Sequence, residues 1–247
     1  MKKYRALWIF TVVCAIISIC SAYAGPADYL YTPAVEYGER EVDFKYGNAS
    51  PQAGVGSAYG SSAGLGYGAG EHWFTEIYLK RERIGSQSAN LAEWENKFQL
   101  TETGQYPVDV GFITELEAPL SNNVPWEINI GPLLQTDFGK LQLNGNLLFQ
   151  RAYGKADESG APYTTNFNYQ WQAKYRWQPA LEFGLQGYGE KGKWNHWNQQ
   201  NNRIGPAAFG KLALGERQTI KYNTALLFGT SKAAPNRTFR MQVEYEF

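Results

Sequence analysis

Arg237-Thr238-Phe239-Arg240-Met241-Gln242-Val243-Glu244-Tyr245-Glu246-Phe247 ends the chain. Its odd positions from Phe239 to Phe247 are apolar or aromatic, and its even positions from Arg240 to Glu246 are charged or amide. A period of two places the two classes on opposite faces of one β-strand. A helix would scatter both around its circumference.

The same alternation runs backward through the sequence. From Phe167 to Trp177 the odd positions are apolar and mostly aromatic, and Asn168, Gln170, Gln172, Lys174 and Arg176 lie between them. Val42, Phe44 and Tyr46 alternate with Glu41, Asp43 and Lys45. Leu141, Leu143, Leu147 and Phe149 alternate with Gln142, Asn144, Asn146 and Gln150. The pattern predicts 12 strands, at 35–46, 61–69, 72–82, 90–101, 107–117, 126–137, 140–152, 163–177, 179–190, 203–214, 217–229 and 237–247. Pro132 and Pro206 weaken two of these, because proline donates no ladder hydrogen bond. The seven glycines of residues 54–70 all carry even numbers. They predict a loop through Tyr59 and then a strand with a bare inner face, which either widens a lumen or makes room for a folded-in loop.

The chain begins with Lys2, Lys3 and Arg5, an apolar run from Ala6 to Ile19, and Ala22-Tyr23-Ala24. This is the layout of a cleaved export signal, with the cut expected after Ala24 and a single barrel domain over 25–247. The apolar run is short for a spanning helix. Both cysteines, Cys14 and Cys20, lie in the leader, so residues 25–247 offer neither a disulfide nor a thiolate metal site. Without the three leader cations, 20 basic residues face 23 acidic ones. No basic surface suggests nucleic acid. Beyond the leader no apolar run could cross a bilayer as a helix. If the strands cross one, they must close on themselves, because hydrocarbon offers no partner to an open ladder edge. The expected fold is therefore all-β, a 12-stranded antiparallel transmembrane β-barrel. With both termini periplasmic, the connections 47–60, 83–89, 118–125, 153–162, 191–202 and 230–236 face outward, and the turns at the other end are shorter.

The terminal Phe247, with Tyr245, Val243, Met241 and Phe239 before it, resembles the C-terminal signal of bacterial outer-membrane β-barrel proteins, and the whole chain is similar to a small, porin-like member of that class. The resemblance implies export to the bacterial outer membrane. It implies recognition by the barrel-assembly machinery and contact with outer-membrane lipid and lipopolysaccharide. It carries over no binding residues.

The chemistry then depends on which charges face inward. Glu76, Lys80, Glu93, Glu95, Lys97, Glu115, Glu117, Lys174, Arg176, Arg240 and Glu244 are the expected lumen lining, acting by electrostatic selection on a small solute. Paired carboxylates such as Glu93 with Glu95 fit a selectivity ring or a cation site, and equally a salt-bridged, closed interior. Twelve strands about 4.8 Å apart and tilted near 40° make a tube roughly 24 Å across, leaving on the order of 14 Å between side chains. Trp194, His196 and Trp197, set among amides in a loop, are candidates for sugar contact, or else belong to an aromatic girdle. No cofactor, metal or catalytic residue is expected. His72 and His196 fall at opposite ends of the expected barrel. Two alternatives to a passive channel stay open: a closed barrel with an envelope-structural or adhesive role through its outer loops, and an outer-membrane lipid-modifying enzyme.

Overall fold

The computed structural model describes residues 25–52, 56–120, 124–154, 163–197, 200–216 and 218–247. The leader lies outside them, as does most of the connection at 155–162. Twelve strands form: β1 (Arg40–Gln52), β2 (Gly56–Gly70), β3 (Trp73–Ile84), β4 (Gln87–Gln99), β5 (Asp109–Pro119), β6 (Trp126–Phe138), β7 (Leu141–Tyr153), β8 (Asn166–Gln178), β9 (Leu181–Lys193), β10 (Asn201–Ala213), β11 (Thr219–Gly229) and β12 (Arg237–Glu246). Each pairs antiparallel with its sequence neighbours, and β12 pairs with β1 to close the barrel. Among the described residues there is no helix.

The closing seam shows why the alternation decides the fold. Val42, Phe44 and Tyr46 stand opposite Tyr245, Val243 and Met241, while Asp43 and Lys45 stand opposite Glu244 and Gln242. From Glu41 to Tyr46 apolar pairs face outward and charged or amide residues inward. The polarity of a water-soluble protein is thereby inverted. Leu65 is 69% exposed and Ile77 61%, whereas Glu76 and Arg240 are each 2% exposed. Such an arrangement fits a barrel wrapped by hydrocarbon.

The two prolines are accommodated by one device used twice. Gly131-Pro132 and Gly205-Pro206 sit where the ladder to the following strand skips two rungs, between Ile130 and Leu133 and between Ile204 and Ala207. A side chain on Gly131 or Gly205 would overlap a carbonyl of that strand, Leu147 or Leu226 respectively. Each proline therefore stands at a break in the ladder, and its missing N–H breaks no ladder bond.

Some expected boundaries need correction. Residues 35–39 are not strand; β1 starts at Arg40 and runs on to Gln52. Gly56 to Gly60 join β2 rather than a loop. The expected loop 83–89 shrinks to a tight turn at Gly85 and Ser86. At the other end, residues 100–108 make the longest connection. The asymmetry between long loops and short turns therefore holds along β5 to β12 but not along β1 to β4. Bare glycines at inward positions 47, 56 and 60 hid the alternation at the end of β1 and the start of β2.

Candidate functional site

Every one of the eleven expected lumen residues lies on the inward face. Lys80 is a hub: its ammonium reaches Glu93 at 2.9 Å, Glu117 at 2.6 Å and Glu82 at 3.9 Å. Lys174 pairs with Glu182 at 3.2 Å and Arg176 with Asp137 at 3.2 Å. Lys97 stands 4.9 Å above the Phe74 ring. Arg240 donates to Gln186 at 2.9 Å, and Glu244 accepts from Gln242 at 2.8 Å.

These residues do not line a free tube. The segment from Gly25 to Tyr37 runs through the lumen between them. Its course can be followed through the wall residues it touches. Gly25 lies beside Glu82 near the loop end. A side chain on Gly47 would overlap the Pro26 carbonyl, and one on Gly60 would sit 3.1 Å from the Ala27 methyl. Tyr29 donates to Glu95 at 2.7 Å, and Lys45 lies 3.3 Å above its ring. Tyr31 packs with Ile113, Leu133 and Leu148, an apolar cluster inside the barrel. The Asn146 amide, in the orientation that satisfies both its atoms, accepts from the Tyr31 N–H at 2.8 Å and donates to the Tyr31 carbonyl at 3.1 Å. Pro33 lies against Gly111, and Val35 N–H donates to Gln99 at 2.8 Å. The Glu36 carbonyl occupies the space a side chain on Gly68 would need, and the segment leaves at the turn end into β1.

The even-numbered glycines thus make room for a folded-in segment. The one sign of it in the sequence is the bare inner face of β2. Burial pushes the Tyr29 hydroxyl well above its ordinary range. It pushes the Asp28 carboxyl up to about 6, against the opposing pull of Lys80 and Arg203.

The wall around the segment has two chemistries. From β1 to β5 it carries Glu41, Asp43, Glu76, Glu93, Glu95, Glu115 and Glu117 with Lys45, Lys80 and Lys97. The Glu93, Glu95 and Glu115 carboxylates approach within 4.8 Å of one another. Each already accepts from a donor, namely Lys80, Tyr29 and Asn129. From β6 to β9 the wall is a ladder of amides. Gln186 donates to Gln172 at 2.7 Å, Gln172 to Asn144 at 3.4 Å and Asn144 to Gln135 at 2.8 Å. Asn168 donates to Gln150 at 2.8 Å, and Gln150 to Glu127.

Trp194 and His196 are exposed at the loop end, and Trp197 stacks on the outward Phe167 ring at 6.1 Å. That contact sets Trp197 against the outward aromatic side of β8. Among the described residues neither histidine shares a hydrogen bond with a serine or threonine hydroxyl; His72 instead faces Glu102 at 3.6 Å.

No family model matches the sequence, and no curated protein does. Solved structures do match the fold. The COG4313 outer membrane channel from Pseudomonas putida F1 superposes with a TM-score of 0.60 at 12% identity, covering 89% of this chain and 98% of that one. The NanC porin gives 0.53 at 13% identity, covering 83% and 98%. The translocator domain of the autotransporter NalP from Neisseria meningitidis gives 0.51 at 13%, covering 86% and 89%. The chain is thus an all-β, 12-stranded closed barrel of the kind found in bacterial outer-membrane proteins.

Proposed function

We propose that this protein is a bacterial outer-membrane channel for small solutes, closed at rest by its own N-terminal segment. The barrel strands begin and end on the periplasmic side, the leader 1–24 is removed on export so that Gly25 sits inside the lumen toward the outer end, and the Phe239–Phe247 strand is the assembly signal. The inward charges select solutes electrostatically once the segment is displaced. The observation that carries this reading is the stripped wall. Gly47, Gly60, Gly68 and Gly111 give up side chains where the segment runs. When the segment departs, the wall keeps its closed ladder and an opening is left behind.

The mature chain's lack of cysteine permits a direct test. The Ala27 Cβ and a Cβ built on Gly60 lie 3.1 Å apart, close enough for a disulfide with a small adjustment. Ala27→Cys with Gly60→Cys should be silent in a planar bilayer when oxidised and should conduct after reduction. A protein lacking residues 25–36 should show steady open steps. Silence of that deletion protein, folded and reconstituted, overturns the channel reading.

One observation favours a second reading. With the segment seated, inward side chains such as Asn146 and Gln186 are out of reach of water. A barrel that never opens would serve an envelope-structural or adhesive role, and the silent deletion protein would support it. A lipid-modifying enzyme would instead hydrolyse phospholipid and lose that activity on His196→Ala.

A further inference from the structure

The outward face carries a charge pattern that the lumen does not explain. Among the described residues, every aspartate and glutamate within the twelve strands lies on the inward face of its ladder. The cations do not follow that rule. Arg81, Arg83, Arg151, Lys191 and Arg237 face outward, opposite outward residues such as Ser61, Tyr59, Ile128 and Phe228. All five lie near the loop end, and Arg40 is the outward cation of the other end. A cation on the lipid face costs about 2–4 kcal/mol at the bilayer midplane and close to nothing at the interface. These residues therefore mark an interface, and no carboxylate within the strands shares their face.

Arg81 and Arg83 form the densest part of the pattern. Two apart on β3, they lie on one face roughly 7 Å from each other. Both are exposed. Arg83 donates from Nε to the Gly85 carbonyl at 3.0 Å, which turns its remaining N–H groups outward. The ladder partners of Arg81 are Ser61 on β2 and Asn90 on β4, a hydroxyl and an amide. Beside Arg81 a shallow outward groove is lined by Phe44, Ala63, Leu79 and Leu120. Guanidinium groups above, polar groups beside and an apolar groove next to them match a lipid with a phosphate, sugar hydroxyls and an acyl chain.

We propose that the Arg81–Arg83 face of β2 to β4 binds the phosphorylated saccharolipid of the outer leaflet, the lipid anchor of lipopolysaccharide. The guanidiniums take its phosphate, Ser61 and Asn90 its hydroxyls, and the groove one acyl chain. The proposal rests on placement in the outer membrane and is independent of conduction.

Native mass spectrometry of the full mature protein in micelles tests it with three probes: diphosphorylated lipid A, dephosphorylated lipid A and phosphatidylglycerol. Arg81→Ala with Arg83→Ala should weaken diphosphorylated lipid A at least about tenfold. Arg151→Ala, across the barrel, should leave the binding to β2–β4 unchanged. With the unaltered protein, removing the phosphates should cost a similar factor, so the test survives a variant that fails to fold. Equal binding by the double variant overturns the proposal, as does equal binding of dephosphorylated lipid A. Phosphatidylglycerol binding as tightly would show a general anionic-lipid surface and overturn the saccharolipid assignment. A barrel that conducts without binding lipid A refutes only this proposal, and one that binds it but stays silent refutes only the channel.

Discussion

The lumen wall is two walls. From β1 to β5 it is made of carboxylates held by few lysines, and from β6 to β9 of amides held by one another. An amide both donates and accepts, so the ladder from Gln186 through Gln172 and Asn144 to Gln135 links amide to amide, with Arg240 donating to Gln186 at its end. A carboxylate only accepts. The charged wall therefore depends on single donors, and Lys80 alone serves Glu82, Glu93 and Glu117. The seated segment leans on both, through Tyr29 on Glu95 and Tyr31 on Asn146. The charged wall is therefore the brittle one and the amide wall the forgiving one.

The largest effect should come from filling the space the charged side leaves for the segment. Gly47→Leu with Gly68→Leu puts side chains where the Pro26 and Glu36 carbonyls lie. Overpacking costs about 1–3 kcal/mol per site, so the segment should be expelled. Residues 25–36 should become cleavable by added protease, and open-channel events should become steady. A folded double variant whose segment stays protected would show that the glycines are not what seats it.

Next comes Lys80→Met. It leaves three carboxylates without their shared donor, and breaking such a set costs about 3–5 kcal/mol when fully buried. Lys80 keeps 17% of its side chain exposed, so about 2–3 kcal/mol is expected in urea unfolding of the lipid-reconstituted barrel. Gln172→Met on the amide wall should cost about 1–2 kcal/mol, the loss of neutral hydrogen bonds. Equal costs at the two positions would erase the distinction between the walls.

This contrast was partly legible in the sequence. Alternation of large apolar with polar residues placed all twelve strands, because inward and outward faces meet such different solvents that a one-residue slip is prohibitive. It put Glu93, Glu95, Lys174 and Arg176 inward for the same reason. The segment was not legible. Gly25 to Tyr37 has no period, because a strap inside a lumen touches wall on all sides, and its partners Gly111, Gln99 and Asn146 lie far away in sequence. Bare glycines on β2 signalled that something approaches closely, but not which part of the chain. Nor does the pairing of Lys80 follow from spacing, since Glu93 and Glu117 reach it only across two ladders.

On the amide side, Asn146→Leu removes the two bonds that hold the Tyr31 backbone. The expected cost is about 1–3 kcal/mol, felt by the segment and not by the ladder. Amide hydrogen exchange at Tyr31 should quicken by roughly ten- to a hundredfold, while the unfolding midpoint of the barrel barely moves. A midpoint that falls as far as in Lys80→Met would mean that the amide wall is as brittle as the charged one.

The remaining effect concerns pH, and its sign follows from Asp28. Burial raises this carboxyl from 3.8 to about 6 when the segment is seated. Around it stand Lys80, Arg203, Glu93 and Glu117. A seated state with the higher pKa binds more protons than the released one between those two values. Acid therefore favours seating, and the advantage fades as pH climbs through about 6, where Asp28 ionises inside the lumen. Channel opening should rise between roughly pH 4 and 6.5, driven by a difference on the order of 3 kcal/mol. Asp28→Asn, always neutral, should flatten that part of the profile and hold the segment in place at neutral pH. If the variant keeps the full slope, the response belongs to the wall carboxylates, and the charged wall rather than the segment senses protons.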